Sequence, residues 1–169
     1  MTASPQPDNV RYLIYGAGAL GSVLGAFLHR SGRSVVLLGR KNMQKVVQDG
    51  LKVTGIWGEH LVEGLQACSE PSQIQGKFPV ILLSVKSSAT QQAAREAALF
   101  LENQGIMISI QNGLNNWEPI ASCVSGRRTV GAQVIFGQRC VEPGWAHVSV
   151  YADPVLLGEP FVPVSATLL

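Results

Sequence analysis

Charge is scarce in this chain. Only 14% of its 169 residues are Asp, Glu, Lys or Arg, and the formal net charge is +2. The basic residues stand singly or in pairs, never in a run, so nothing here resembles the patch that holds a nucleic acid or an anionic membrane. Cysteines number three, Cys68, Cys123 and Cys140. They are far apart and form no C-x-x-C pair. Neither a disulfide framework nor a zinc site is expected, and the cytoplasm is the expected compartment. His29, His60 and His147 are equally dispersed, so no metal site is expected. The N-terminal MTASPQPDNV lacks a basic segment followed by an apolar one. It does not read as a signal peptide, and residues 1–9 are expected to form a flexible tail. No apolar run reaches the ~20 residues of a comfortable membrane span without a glycine interrupting it.

Apolar material, by contrast, is ample. Hydrophobic residues make up 46% of the chain, enough for the core of one domain. One stretch, Tyr12 to Leu28, carries no charge at all, and Gly21 and Gly25 have the small-xxx-small spacing of packed membrane helices. The same stretch spells G-x-G-x-x-G at Gly16, Gly18 and Gly21. Its surroundings decide between the two readings. Arg11–Tyr15 is a short β-branched and aromatic run, suited to a strand. Leu20, Val23, Leu24, Phe27 and Leu28 recur with helical spacing. His29 and Arg30 suit the last turn of that helix, Gly32 its stop, and Ser34–Leu38 reads as the next strand. Strand, glycine turn, helix and strand form a βαβ unit, which a membrane helix leaves unexplained. In that unit Gly16 permits a tight turn, Gly18 admits a pyrophosphate close to the backbone, and Gly21 lets helix and strand pack closely. The cofactor-binding turn is therefore placed at Gly16, Ala17, Gly18, Ala19, Leu20 and Gly21, with the helix N–H groups facing the phosphates.

Downstream, residues 42–48 read as a short helix, and residues 51–54 and 59–67 as strands. Val80–Val85 is an apolar run typical of a strand buried on both faces. Ser87 or Ser88 is expected to cap a helix with Ala94, Ala97, Ala98 and Leu101 inward and Gly105 at its end. Ile106–Ile110 is another buried strand, Asn116 is expected to cap a further helix, and Thr129–Phe136 reads as a strand. Ala146–Tyr151 and Val155–Leu157 look like a strand pair. The alternation predicts an α/β fold, a Rossmann-like doubly wound and mostly parallel sheet, with an extended β region near the C-terminus.

A site for NAD usually places an acid at the end of the second strand, ~20 residues beyond the glycines. This strand runs instead into Gly39-Arg40-Lys41. Arg40 is positioned to take a 2′-phosphate, with Lys41 adding charge, so NADP is the expected cofactor. Lys86 and Asn112 fall at the carboxyl ends of the fourth and fifth parallel strands, where open α/β sheets bind ligands. On the residues alone each reads equally as a solvated strand end or a turn. Ser84, Ser87, Gln111 and Gln133 are candidates to line the same crevice.

Five stretches in this order resemble the ketopantoate reductases (2-dehydropantoate 2-reductases): GAGALGS at Gly16–Ser22, GR at Gly39-Arg40, SVKS at Ser84–Ser87, QNGL at Gln111–Leu114, and EPGWAHV at Glu142–Val148. The resemblance extends from about residue 10 to residue 160. It implies NADPH-dependent reduction of a 2-keto acid, in the type case ketopantoate on the route to pantothenate and coenzyme A. It also implies that Lys86 and Asn112 stand beside the nicotinamide ribose and substrate, in supporting catalytic roles. The family carries its general-acid lysine in a second, helical domain. Residues 10–160 are thus expected to be the NADP-binding domain, residues 161–169 a tail where the helical domain would begin, and the chain inactive alone. A non-catalytic NADP-binding sensor or regulatory module, and a reductase of similar build with another carbonyl substrate, remain alternatives. Oligomeric state is not indicated.

Overall fold

The structure is a computed structural model that describes residues 10–40 and 43–160. The first β-α-β unit consists of β1 (Arg11–Tyr15), α1 (Ala19–Arg30) and β2 (Ser34–Leu38). After α2 (Met43–Asp49) come three short strands, β3 (Leu51–Gly55), β4 (His60–Val62) and β5 (Gln66–Cys68). Then follow β6 (Phe78–Leu83), α3 (Thr90–Ala98), β7 (Leu101–Ser109), α4 (Trp117–Val124) and β8 (Thr129–Gln133). The described residues close with β9 (Phe136–Glu142), β10 (Trp145–Tyr151) and β11 (Leu156–Gly158).

Seven strands form one sheet in the order β11-β8-β7-β6-β1-β2-β5. Every neighbouring pair is parallel except β8 with β11. The chain winds outward from β1 in both directions, so the strand order reverses between β1 and β6. That reversal opens the crevice in which folds of this kind bind ligands. The sheet is covered on both faces, and its central strands are accordingly apolar at successive positions. Leu13 and Tyr15 of β1 face α3 and α4, whereas Ile14 faces α1. Ile81 and Leu83 of β6 divide from Leu82 in the same way.

A second sheet, in the order β4-β3-β10-β9, packs over the outer side of α1. This explains the missing charge between Tyr12 and Leu28. A surface helix needs one polar face, but α1 is enclosed between two sheets, and from Leu20 to His29 none of its residues is exposed. Gly25 faces Leu37 and Ile14 of the main sheet, leaving no room for a side chain. Phe27 faces the small sheet, edge-on to Trp57 with centroids 5.7 Å apart.

Several elements differ from the sequence reading. The residue 59–67 segment divides into β4 and β5, which belong to different sheets. Thr129–Phe136 also divides, because β8 ends at Gln133 and β9 starts at Phe136. The expected strand pair near the C-terminus does not form: β10 pairs with β3 and β9, and β11 pairs with β8. Period-two patterning shows which residues are extended but not their partners. The α3 helix ends at Ala98, and Leu101 already belongs to β7. Neither Ser87 nor Ser88 caps α3, whose N-terminus follows a 3-10 turn over Ser87–Ala89. Lys41 and Asn42 lie outside the described residues. The β5–β6 connection holds one 3-10 turn, Pro71–Gln73, leaving a groove lined by Arg11, Gln66, Cys68 and Gln73.

At the end of β1 the Tyr15 hydroxyl donates to Glu96 of α3. Burial first, and then this bond, raise the Tyr15 pKa. The bond, assisted by Gln92, holds the Glu96 carboxyl below its ordinary 4.5. A carboxylate with a depressed folded pKa stabilises above the unfolded value and loses that contribution as pH falls through the folded one. Tyr15→Phe is therefore expected to cost about 1–2 kcal/mol at neutral pH. Urea melts should show this difference shrinking as the solution is acidified below the ordinary carboxylate range; a pH-independent difference would contradict it.

Candidate functional site at the strand ends

The chain leaves β1 into the glycine turn. Gly16 and Ala17 donate their amides to the Leu38 carbonyl at 3.0 and 2.6 Å, and Gly18 donates back to Gly16 O at 2.7 Å. The turn is thus fastened to the end of β2. Gly16 has φ +111°, and a Cβ there would lie 2.8 Å from the Val85 amide nitrogen. Both its conformation and its surroundings require glycine. Gly21 is constrained by space alone: a Cβ would lie 2.4 Å from Gly16 O and 2.9 Å from an Ile14 methyl. The Ser84 hydroxyl donates to that same Gly16 carbonyl and ties β6 to the turn.

Gly18 differs from its two neighbours. Its backbone is extended, it is exposed, and a Cβ would meet nothing within 4 Å. Packing among the described residues gives no reason for a glycine at this position. The space it leaves lies directly before α1. The first intrahelical bond runs from Ser22 N–H to Gly18 O at 2.8 Å, and no side chain caps the helix. The amides of Ala19, Leu20 and Gly21 precede that bond, and no acidic residue occupies the first turn. Open space, free donors and the positive end of a helix suit an anion, and a phosphate fits this cradle.

The end of β2 supplies a cation. Gly39 is buried, and a Cβ there would press on Met43 of α2 and lie 3.2 Å from the Ala17 side chain. Arg40 therefore emerges beside the glycine turn, and it is exposed. Its charge contributes slightly to the depressed Glu96 pKa. No ion pair of Arg40 occurs among the described residues, where Lys45 with Asp49 is the pair formed.

Lys86 and Asn112 follow the adjacent ends of β6 and β7, and both are exposed. Their loops are joined: the Ser87 hydroxyl donates to Asn112 O at 3.0 Å. Ala89 N–H donates to Lys86 O at 2.8 Å, turning the chain immediately after the lysine. Gln133 is exposed at the corresponding end of β8. Gln111 is buried and does not line the crevice as an open wall; its amide bonds beneath the loops. Asn116 stands at the expected helix start but donates to Asn112 O and Gly113 O rather than accepting from α4. The turn, Arg40, Lys86 and Asn112 thus occupy one end of the parallel sheet. Thr90 and Glu96 do not stand out in the sequence, because Gln111 and Tyr15, to which they bond, lie 21 and 81 residues away.

Among the described residues no helix is long and apolar enough to cross a membrane, and no cluster of His, Cys, Asp and Glu could hold a metal. Residues 12–160 match the family model described as ketopantoate reductase PanE/ApbA. The 2-dehydropantoate 2-reductase of Aquifex aeolicus is 32% identical over 152 residues, which are 89% of this chain and 47% of that protein. The chain spans about half the length of the curated relatives it matches. The crystal structure of a 2-dehydropantoate 2-reductase from Geobacter metallireducens superposes with a TM-score of 0.84 at 32% identity, covering 94% of this chain and 52% of that one. A D-mandelate dehydrogenase solved with NADH and anilino(oxo)acetate shares the fold, with a TM-score of 0.74 at 20% identity over 82% of this chain and 45% of that one.

The glycine geometry predicts opposite outcomes for two similar substitutions. Gly21→Val should cost about 3 kcal/mol, because it overpacks against backbone. Gly18→Val should remain within about 1 kcal/mol of the parent, as for a changed helix cap in open space. Denaturant titration of both variants checks this; equal losses would contradict the assignment of space.

Proposed function

The chain belongs to the ketopantoate reductase PanE/ApbA family, and from that premise we propose that its strand-end crevice binds NADP for reduction of a 2-keto acid, ketopantoate being the favoured substrate. On this reading residues 10–160 supply the nucleotide-binding half of the site, in the cytoplasm. The observation that carries the proposal is the room left at Gly18 before an uncapped helix N-terminus, with Arg40 emerging beside it.

Each residue then has a physical task. The amides at the start of α1 hold the pyrophosphate, and the absence of a side chain at Gly18 lets it approach. Arg40 takes the 2′-phosphate through charge-assisted hydrogen bonds, with Lys41 adding positive charge nearby. When bound, the nicotinamide supplies hydride. Lys86 offers positive charge, and Asn112 offers an amide donor, where a keto acid anion gains further negative charge on its oxygen. Both come from loops at strand ends, so their spacing is set by the sheet beneath.

Arg40→Asp should weaken NADPH binding by about 1–3 kcal/mol while leaving NADH little affected or improved, since a carboxylate repels the 2′-phosphate and suits a free ribose. Calorimetric titration of both nucleotides into the parent and the variant tests this. Equal affinities of the parent for NADPH and NADH would defeat the assignment of Arg40.

A further inference from the structure

Below the crevice lies a group of buried polar side chains that the proposed chemistry does not use. Gln111 is 8% exposed, Thr90 1%, Asn116 8% and Ser109 4%. Polar groups so deeply buried cost free energy unless they are bonded, and these are. Gln111 Nε2 donates to Val85 O and to Thr90 Oγ1, both at 2.8 Å. Its Oε1 accepts from the Ser109 hydroxyl at 3.2 Å. The Val85 carbonyl can only accept, which fixes the orientation of the amide. Thr90 Oγ1 in turn donates to Ser87 O at 2.7 Å. Asn116 Nδ2 donates to Asn112 O at 2.9 Å, and the Ser87 hydroxyl donates to the same carbonyl at 3.0 Å.

These bonds converge on two residues. The carbonyls before and after Lys86 are held by Gln111 and Thr90, and the carbonyl of Asn112 is held by Asn116 and Ser87. Both crevice side chains remain exposed while their backbones are fixed from beneath. We infer that Gln111, with Thr90, Asn116 and Ser87, is a positioning residue that sets the backbone of Lys86 relative to Asn112 for the nicotinamide half of the nucleotide. The inference rests on the nucleotide reading of the crevice. None of these hydrogen bonds reaches the glycine turn or Arg40, so their effect falls chiefly on one end of the ligand.

That asymmetry is measurable with two probes on the 169-residue chain. NADPH engages both ends of the crevice, whereas adenosine 2′,5′-bisphosphate engages the glycine turn and Arg40 but not the nicotinamide end. Gln111→Met keeps the volume and removes the bonds. It should raise the Kd for NADPH about 5- to 10-fold and change that for the bisphosphate less than about 2-fold. Ser87→Ala removes one exposed hydroxyl and should act in the same direction, about 2- to 3-fold. If circular dichroism shows Gln111→Met unfolded, Ser87→Ala decides. Equal weakening of both probes, or of neither, in a folded variant overturns the inference while leaving the nucleotide reading intact. An unmodified chain that binds neither probe overturns the nucleotide reading itself, and the inference with it.

Discussion

A methyl group at position 21 would lie 2.4 Å from the Gly16 carbonyl oxygen. That lack of room between α1 and β1 is the constraint on which the arrangement depends. The helix lies so near the sheet that its N-terminus arrives directly above the strand ends. Gly25 extends the close approach for another turn, against Leu37. The outer side of α1 is then left to the small sheet, and a helix enclosed in this way has no place for charge. The same packing brings Ser84 to the Gly16 carbonyl, so the turn is tied to the end of β6 as well as to that of β2. The glycine turn is thus held by hydrogen bonds at the ends of two neighbouring strands, β2 and β6.

The parallel core was legible in the sequence because both of its signals are local. Ile81, Leu82 and Leu83 must all be apolar when the strand is covered on both faces, and a glycine turn between a strand and a helix identifies the βαβ unit. The residues at strand ends were legible for the same reason: Arg40, Lys86 and Asn112 each follow an apolar run that ends. The small sheet was not legible. β3 pairs with β10, whose residues lie about ninety positions later, as in Thr54 opposite His147. Nothing in either segment names its partner, and the tidy neighbour of β10 in sequence, β11, joins the other sheet. The side-chain bonds around Gln111 were hidden likewise, since a buried glutamine and an exposed one are the same letter.

Exposed and buried polar groups are layered at this crevice. The groups that face outward, Lys86, Asn112 and Arg40, are exposed. The groups that hold the backbone around Lys86 and at Asn112, namely Gln111, Thr90 and Asn116, are buried and bonded. A donor that must meet developing charge is most effective when its position is fixed before the ligand arrives, because no free energy is then spent on ordering it. A satisfied polar network beneath an exposed donor provides that fixation, and a β-strand end above a two-sided core provides the frame.

One nucleotide is proposed to span the strand ends from the glycine turn to Asn112. Amide chemical-shift mapping of the isotope-labelled chain during titration with NADPH tests it most directly. Saturable shifts are expected at Gly16 to Gly21, at Arg40, and at Lys86 and Asn112, with the small sheet's β9 and the groove at Cys68 unchanged. Shifts concentrated at that groove or on the small sheet, with the glycine turn silent, would contradict it.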